Sequence, residues 1–119
     1  MTGTEIVEKG KEMCSKIDLG DYKKHFIVEV ALKGERLEVF YIETNEGKVN
    51  VELGENKKRH LRVTATYDNF VALAKRELDP KKALLTGKLK VEGGIDKAFE
   101  FKKLLGLMLE GYKKALATV

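Results

Sequence analysis

Apolar side chains return every three or four positions over residues 4–17, where Ile6, Gly10, Met13, Cys14 and Ile17 share one face and predict an amphipathic helix. The polar stretch 18–24 breaks it. From His25 the period changes to two. Phe26, Val28, Val30 and Leu32 alternate with Ile27, Glu29, Ala31 and Lys33, which predicts a strand. Lys33-Gly34-Glu35-Arg36 turns the chain into a second strand, Leu37 to Thr44, apolar on both faces in its middle and therefore central. Asn45-Glu46-Gly47 reads as a hairpin turn with Gly47 suited to positive φ. Val49, Val51 and Leu53 mark a third strand. After the polar loop 54–60, Leu61, Val63 and Ala65 mark a fourth. Strands following one another on short polar turns predict an antiparallel meander or a close variant.

The period lengthens again at Thr66, a suitable N-cap, with Asp68 in the first turn where it favours the helix dipole. Phe70, Val71, Leu73, Ala74 and Leu78 form the buried stripe of that helix. Asp79 caps a short helical turn opened by Pro80, Gly87 stops it, and Leu89 and Val91 face inward from a fifth strand. Gly93-Gly94 forms a flexible joint, and Ile95 begins a helix that runs to the end. Within it Leu-Leu-Gly-Leu-Met-Leu, residues 104–109, is apolar on all sides and must be covered on all sides. Phe101, Leu105, Met108, Leu109, Tyr112 and Leu116 form a stripe that can pack on the sheet, while Leu104 and Leu107 point elsewhere. Gly106 invites a bend between two shorter helices. Ordinary core, a bound apolar ligand and a second subunit are three covers for the segment. Phe99 and Leu105 taken singly read as core.

The chain has 119 residues, 43% of them hydrophobic and 35% charged, which suits one globular domain spanning residues 1–119. Its net charge of +4, from 23 basic and 19 acidic residues, is too small and too interleaved for a nucleic-acid partner. The longest basic run, Lys57-Lys58-Arg59-His60, reads as a solvated loop, with transient contact to anionic lipid headgroups as the second reading. A lone cysteine, Cys14, excludes an internal disulfide and fits a small buried hydrophobe. The first residues lack a basic stretch followed by an apolar run, and no stretch is long and apolar enough to span a bilayer, so a soluble cytoplasmic protein is expected.

Candidate chemistry is sparse. His25 and His60 each stand beside lysines or arginines, poor surroundings for a general base, and Ser15 is the only serine. No set of His, Cys, Asp or Glu has metal-ligand spacing. Gly87-Lys88-Leu89-Lys90-Val91-Glu92-Gly93-Gly94 lacks the order and the terminal Lys-Ser/Thr of a phosphate-binding loop. Neither a catalytic residue, a metal nor a cofactor is expected, and the chain does not read as an enzyme.

The run Leu78-Asp79-Pro80-Lys81-Lys82-Ala83-Leu84-Leu85-Thr86-Gly87-Lys88-Leu89-Lys90-Val91-Glu92-Gly93 resembles the signature of sterol carrier protein 2-like domains. The preceding Thr66–Glu77 helix, the strand-rich first half and the apolar last helix are also similar, so the resemblance covers about residues 5–116. It implies an α/β (α+β) fold with an N-terminal helix and a five-stranded, mostly antiparallel sheet of order 3-2-1-4-5, covered on one face by helices. It further implies non-enzymatic binding or transfer of a fatty-acyl, sterol or isoprenoid-type lipid in a tunnel between sheet and helices. The lipid-binding residues would then be Phe70 and Leu73, Leu84 and Leu85 of the short helical turn, and Leu89 and Val91 of the fifth strand. From the last helix they would be Ile95, Phe99, Phe101, Leu104, Leu105, Met108, Leu109 and Tyr112. The alternative is a structural or interaction domain that homodimerises or docks on a lipid- or quinone-biosynthesis enzyme through that helix. A monomer or weak homodimer is expected. The terminal Ala-Thr-Val lacks the form of a peroxisomal import tripeptide.

Overall fold

The computed structural model describes residues 3–117; Thr118 and Val119, on which the import-tripeptide reading rests, and the side chains of Ala74 and Ala117 lie outside the described residues. In chain order the elements are α1 (Gly3–Cys14), β1 (Phe26–Lys33), β2 (Glu38–Asn45), β3 (Lys48–Leu53) and β4 (Leu61–Thr66). They are followed by α2 (Tyr67–Ala74), α3 (Pro80–Leu85), β5 (Leu89–Glu92) and α4 (Ile95–Ala117). One sheet of order β3-β2-β1-β4-β5 holds all five strands. Asn45 pairs with Lys48, and Glu46 and Gly47 both take positive φ between them, so the hairpin turn expected at 45–47 forms with Gly47 at positive φ and is of the two-residue kind.

The meander does not form. β4 leaves β3, crosses to the far side of β1 and pairs with it in parallel, Val28 opposite Leu61 and Val30 opposite Val63. Period-two alternation specifies which face a residue occupies and is silent on which strand lies alongside. Because β3 and β4 both run with β1, the 54–60 connection has to return along the sheet. At about 3.3 Å per residue its span is about 20 Å, enough for one strand length.

A buried carboxylate fixes that crossover. Val28, Val30 and Leu32 of β1 face the main core, so Glu29 faces the opposite side, where it is nonetheless fully buried. Its Oε1 accepts from the Asn56 N–H at 2.9 Å, while its Oε2 pairs with Arg62 and lies 3.5 Å from Arg59. Beside it the His60 N–H donates to the Ile27 carbonyl at 2.9 Å, and the Ile27 N–H donates to His60 Nδ1 at 3.0 Å. Desolvation, with the positive charge of Lys97 next, holds the imidazole below its ordinary pKa, in keeping with a ring nitrogen that must stay unprotonated to accept.

The helices cover the other face. Thr66 caps α2 through its hydroxyl and Asp79 caps α3 through its carboxylate, as the sequence predicts. Gly87 follows α3 with φ 76°, the left-handed conformation that glycine adopts without strain. α4 is one continuous helix, and Gly106 does not divide it in two. A Cβ at Gly106 would stand 2.8 Å from Arg76 Nη2, so the glycine makes room for a guanidinium lying on the helix. Leu104 does not point away from the sheet: with Phe101 it is buried in the core. At 100° per residue Leu104 and Leu109 bound a stripe about 140° wide, ordinary for a helix set on a sheet. Gly93 packs tightly on β4, where a Cβ would meet Leu61 and the His60 carbonyl, and the Gly94 carbonyl accepts from the first turn of α4. The double glycine is thus an anchored turn.

Candidate functional site

An apolar cavity of about 340 Å³ lies on the helix side of the sheet. Phe40 and Ile42 of β2 with Val51 of β3 form its floor. α1 supplies Ile6, Lys9, Gly10, Met13 and Cys14, followed by Ile17; α2 supplies Tyr67, Phe70 and Val71; α4 supplies Leu105, Met108, Leu109 and Tyr112. Phe70 meets Phe40 edge to face at 5.9 Å, closing one end of the floor. Gly10 lets α1 approach Val51 without filling the space between them. Lys9 is the one charged residue of the described lining.

Burial pushes the Cys14 thiol up to about 11. At pH 8 its thiolate is then about 10⁻³ of the total, against about a quarter for an ordinary cysteine. Cys14 should react with a disulfide reagent on the order of 10²-fold more slowly than free cysteine, and more slowly still once an apolar ligand fills the cavity. Labelling at the rate of free cysteine would mean that the α1 wall is open to water.

Of the residues expected to bind lipid, Phe70, Leu105, Met108, Leu109 and Tyr112 come together at this cavity. Leu73, Leu89, Phe101 and Leu104 are buried in the core beside it, with Val91 packed against them. Leu84, Leu85, Ile95 and Phe99 stand exposed and outside it. Phe99, expected singly as core, is therefore a surface residue. The α1 wall was missing from the expected set, although the repeat Ile6, Gly10, Met13, Cys14 and Ile17 already marked it as an apolar face.

A second cleft, about 530 Å³, separates the 18–24 segment from α4 and mixes four lysines with Asp18, Asp21 and Glu110. At its edge the Tyr22 hydroxyl donates to Glu100 Oε1 at 2.7 Å, and Lys24 pairs with the same carboxylate at 3.3 Å. The hydrogen bond from Tyr22 is the main cause holding the Glu100 carboxyl below its usual range. His25 pairs with Glu43, His60 is committed to Ile27, and Ser15 donates to the Glu12 carbonyl, so none of them reaches the apolar cavity. Among the described residues no group of His, Cys, Asp and Glu could hold a metal ion.

A five-stranded sheet of this order with helices on one face is the fold the resemblance implies. The sequence profile of the SCP-2 sterol transfer family matches residues 11–106. The chain belongs to the SCP-2 sterol transfer family. Among solved structures, palmitated SCP2L2 from Aedes aegypti is 21% identical with a TM-score of 0.65, over 88% of this chain and 95% of that one. The ubiquinone synthesis protein UbiJ-SCP2 is 20% identical with a TM-score of 0.57, over 82% of this chain and 74% of that one. The sec-alkylsulfatase Pisa1 of Pseudomonas sp. is 20% identical with a TM-score of 0.67, over 77% of this chain but only 15% of the sulfatase. These likenesses establish a shared fold. No curated protein sequence matches the chain. No helix among the described residues is long and apolar enough to cross a membrane.

Proposed function

We propose that this SCP-2 family domain binds one apolar lipid chain, of fatty-acyl, sterol or isoprenoid type, in the α1–α4 cavity and carries it without chemical change, as a cytoplasmic monomer. The carrying observation is the cavity itself: about 340 Å³, walled by aliphatic and aromatic side chains, with Lys9 the single charge in its lining. That volume stands at the small end of ligand pockets, about 300–1,000 Å³, and favours one flexible chain over a bulky fused-ring lipid. Burying a chain of about sixteen carbons contributes on the order of 12 kcal/mol gross, and an association cost of about 4 kcal/mol leaves micromolar affinity without a salt bridge. The structure of an Aedes aegypti relative in palmitated form supports the same reading.

Native mass spectrometry of freshly purified protein tests it together with titration of a fluorescent fatty-acyl probe. The expected results are a lipid-mass adduct on the monomer and one probe site per chain. A bare monomer that also fails to take up the probe would refute the reading.

The ubiquinone synthesis neighbour supports the second reading, a domain that docks on an enzyme or a second copy through α4, where Leu116 is exposed. A clean dimer or complex with an empty cavity would favour it. The loop carrying Lys57 and Lys58 is best taken as a solvated crossover, because Arg59 is held by Glu29 and Glu92.

A further inference from the structure

Leu85, Ile95 and Phe99 are 80%, 74% and 60% exposed, the three highest values among the large hydrophobic residues described. None of them lines the cavity. Ile95, Phe99 and Lys102 fall at i, i+4 and i+7, on one stripe of α4. Lys102 lies 3.9 Å from Asp79, the cap of α3, which sets α3 alongside that stripe. α3 turns Leu84 and Leu85 outward while Ala83 is fully buried beneath it. The exposed apolar residues of α3 and of the first turns of α4 therefore share one edge of the molecule, the β5 edge of the sheet.

The charge around them is predominantly positive. Residues 79–103 contain seven lysines against four acids, most of the excess behind the chain's net +4. Lys81, Lys82, Lys88, Lys90, Lys102 and Lys103 are exposed; of the acids, Asp79 pairs with Lys102 and Glu100 with Lys24 and Tyr22, while Glu92 and Asp96 stay exposed and in the minority. Protruding leucine, isoleucine and phenylalanine within a ring of lysines suit neither water nor a folded partner of mixed charge. They match a surface that is negative outside and apolar just beneath.

We propose that the α3–β5–α4 edge is a docking face for anionic bilayers, with Leu85, Ile95 and Phe99 inserting among the acyl chains and the surrounding lysines meeting the headgroups. The face lies outside the cavity, so this inference stands apart from the identity of any bound lipid.

The chain has no tryptophan, which gives a direct test. Phe99→Trp places one fluorophore on the face, and Leu53→Trp places one at an exposed position, 51%, on the opposite edge strand β3. With vesicles of phosphatidylcholine and phosphatidylglycerol, the emission of the Phe99→Trp protein should shift to the blue, and that of the Leu53→Trp protein should not. Pure phosphatidylcholine or high salt should abolish the shift. Leu85→Ser in the Phe99→Trp protein should weaken vesicle affinity at least fivefold, while Lys57→Ala with Lys58→Ala on the crossover loop should change it less than twofold. No shift on anionic vesicles, equal shifts at both positions, or equal loss from the crossover pair would overturn the proposal. A vesicle-independent shift that grows with protein concentration would also overturn it, assigning the face to a second copy of the chain. The acyl-probe titration without vesicles reports on the cavity separately.

Discussion

Replacing Arg62 with alanine is expected to lower the free energy of unfolding by about 3–5 kcal/mol, a large share of the roughly 5–15 kcal/mol a domain of this size possesses. The substitution leaves the Glu29 carboxylate fully buried with one cationic partner, Arg59, at 3.5 Å and one backbone donor, Asn56. Arg59→Ala should cost far less, about 1 kcal/mol, because Arg59 is more exposed and its removal leaves the tighter Arg62 pair intact. Adding Glu29→Leu to Arg62→Ala should recover more than half of the loss. The stranded charge is then gone, and an apolar side chain lies beside Ile27 and Ala31 on the same face. Urea denaturation of the three variants measures these differences. A cost below about 1 kcal/mol for Arg62→Ala, or a double variant weaker than the single, would mean that the carboxylate does not hold the crossover.

The same carboxylate marks where the sequence stops being informative. At its period-two position Glu29 belongs to the outer face of β1, and alternation alone reads that face as wet. Only the return of residues 54–60 across it creates the burial, and that return follows from β4 pairing with β1. Local patterns did locate the strands, the hairpin turn at 45–47 and the caps Thr66 and Asp79, because those depend on neighbours close in sequence. The five-strand order came with the family resemblance. The site was legible by halves: the apolar stripe of α4 and Phe70 were marked, while α1, whose face was equally visible, was read as core. Amphipathicity says that a face will be covered and leaves open by what. For the same reason Leu84, Leu85, Ile95 and Phe99, apolar in the chain, lie on the surface, and Leu104, expected to point away, is core. Leu104→Asp would consequently probe folding and not the cavity.

Gly10 offers the cleaner test of the cavity. It lies inside α1 without positive φ, and a Cβ there would meet Val51 at 3.5 Å, ordinary contact, so a side chain fits at its root and extends into the cavity that Gly10 lines. Glycine in a helix interior is worse than alanine by about 0.5–1 kcal/mol. Gly10→Ala should therefore raise stability by about that amount and leave acyl-probe affinity nearly unchanged, since one methyl occupies little of the cavity. Gly10→Leu should behave differently. Its side chain competes for the space of the lipid and should weaken probe binding at least tenfold, while burial of the new apolar surface keeps stability at or above that of the wild type. Loss of function with retained or increased stability separates occupation of the site from damage to the fold, which a charged substitution in α4 cannot do. If Gly10→Leu binds the probe as tightly as the wild type, the lipid lies elsewhere. If it instead destabilises the protein by more than about 2 kcal/mol, the space between α1 and the sheet is already filled, because overpacking a dense core costs about that much.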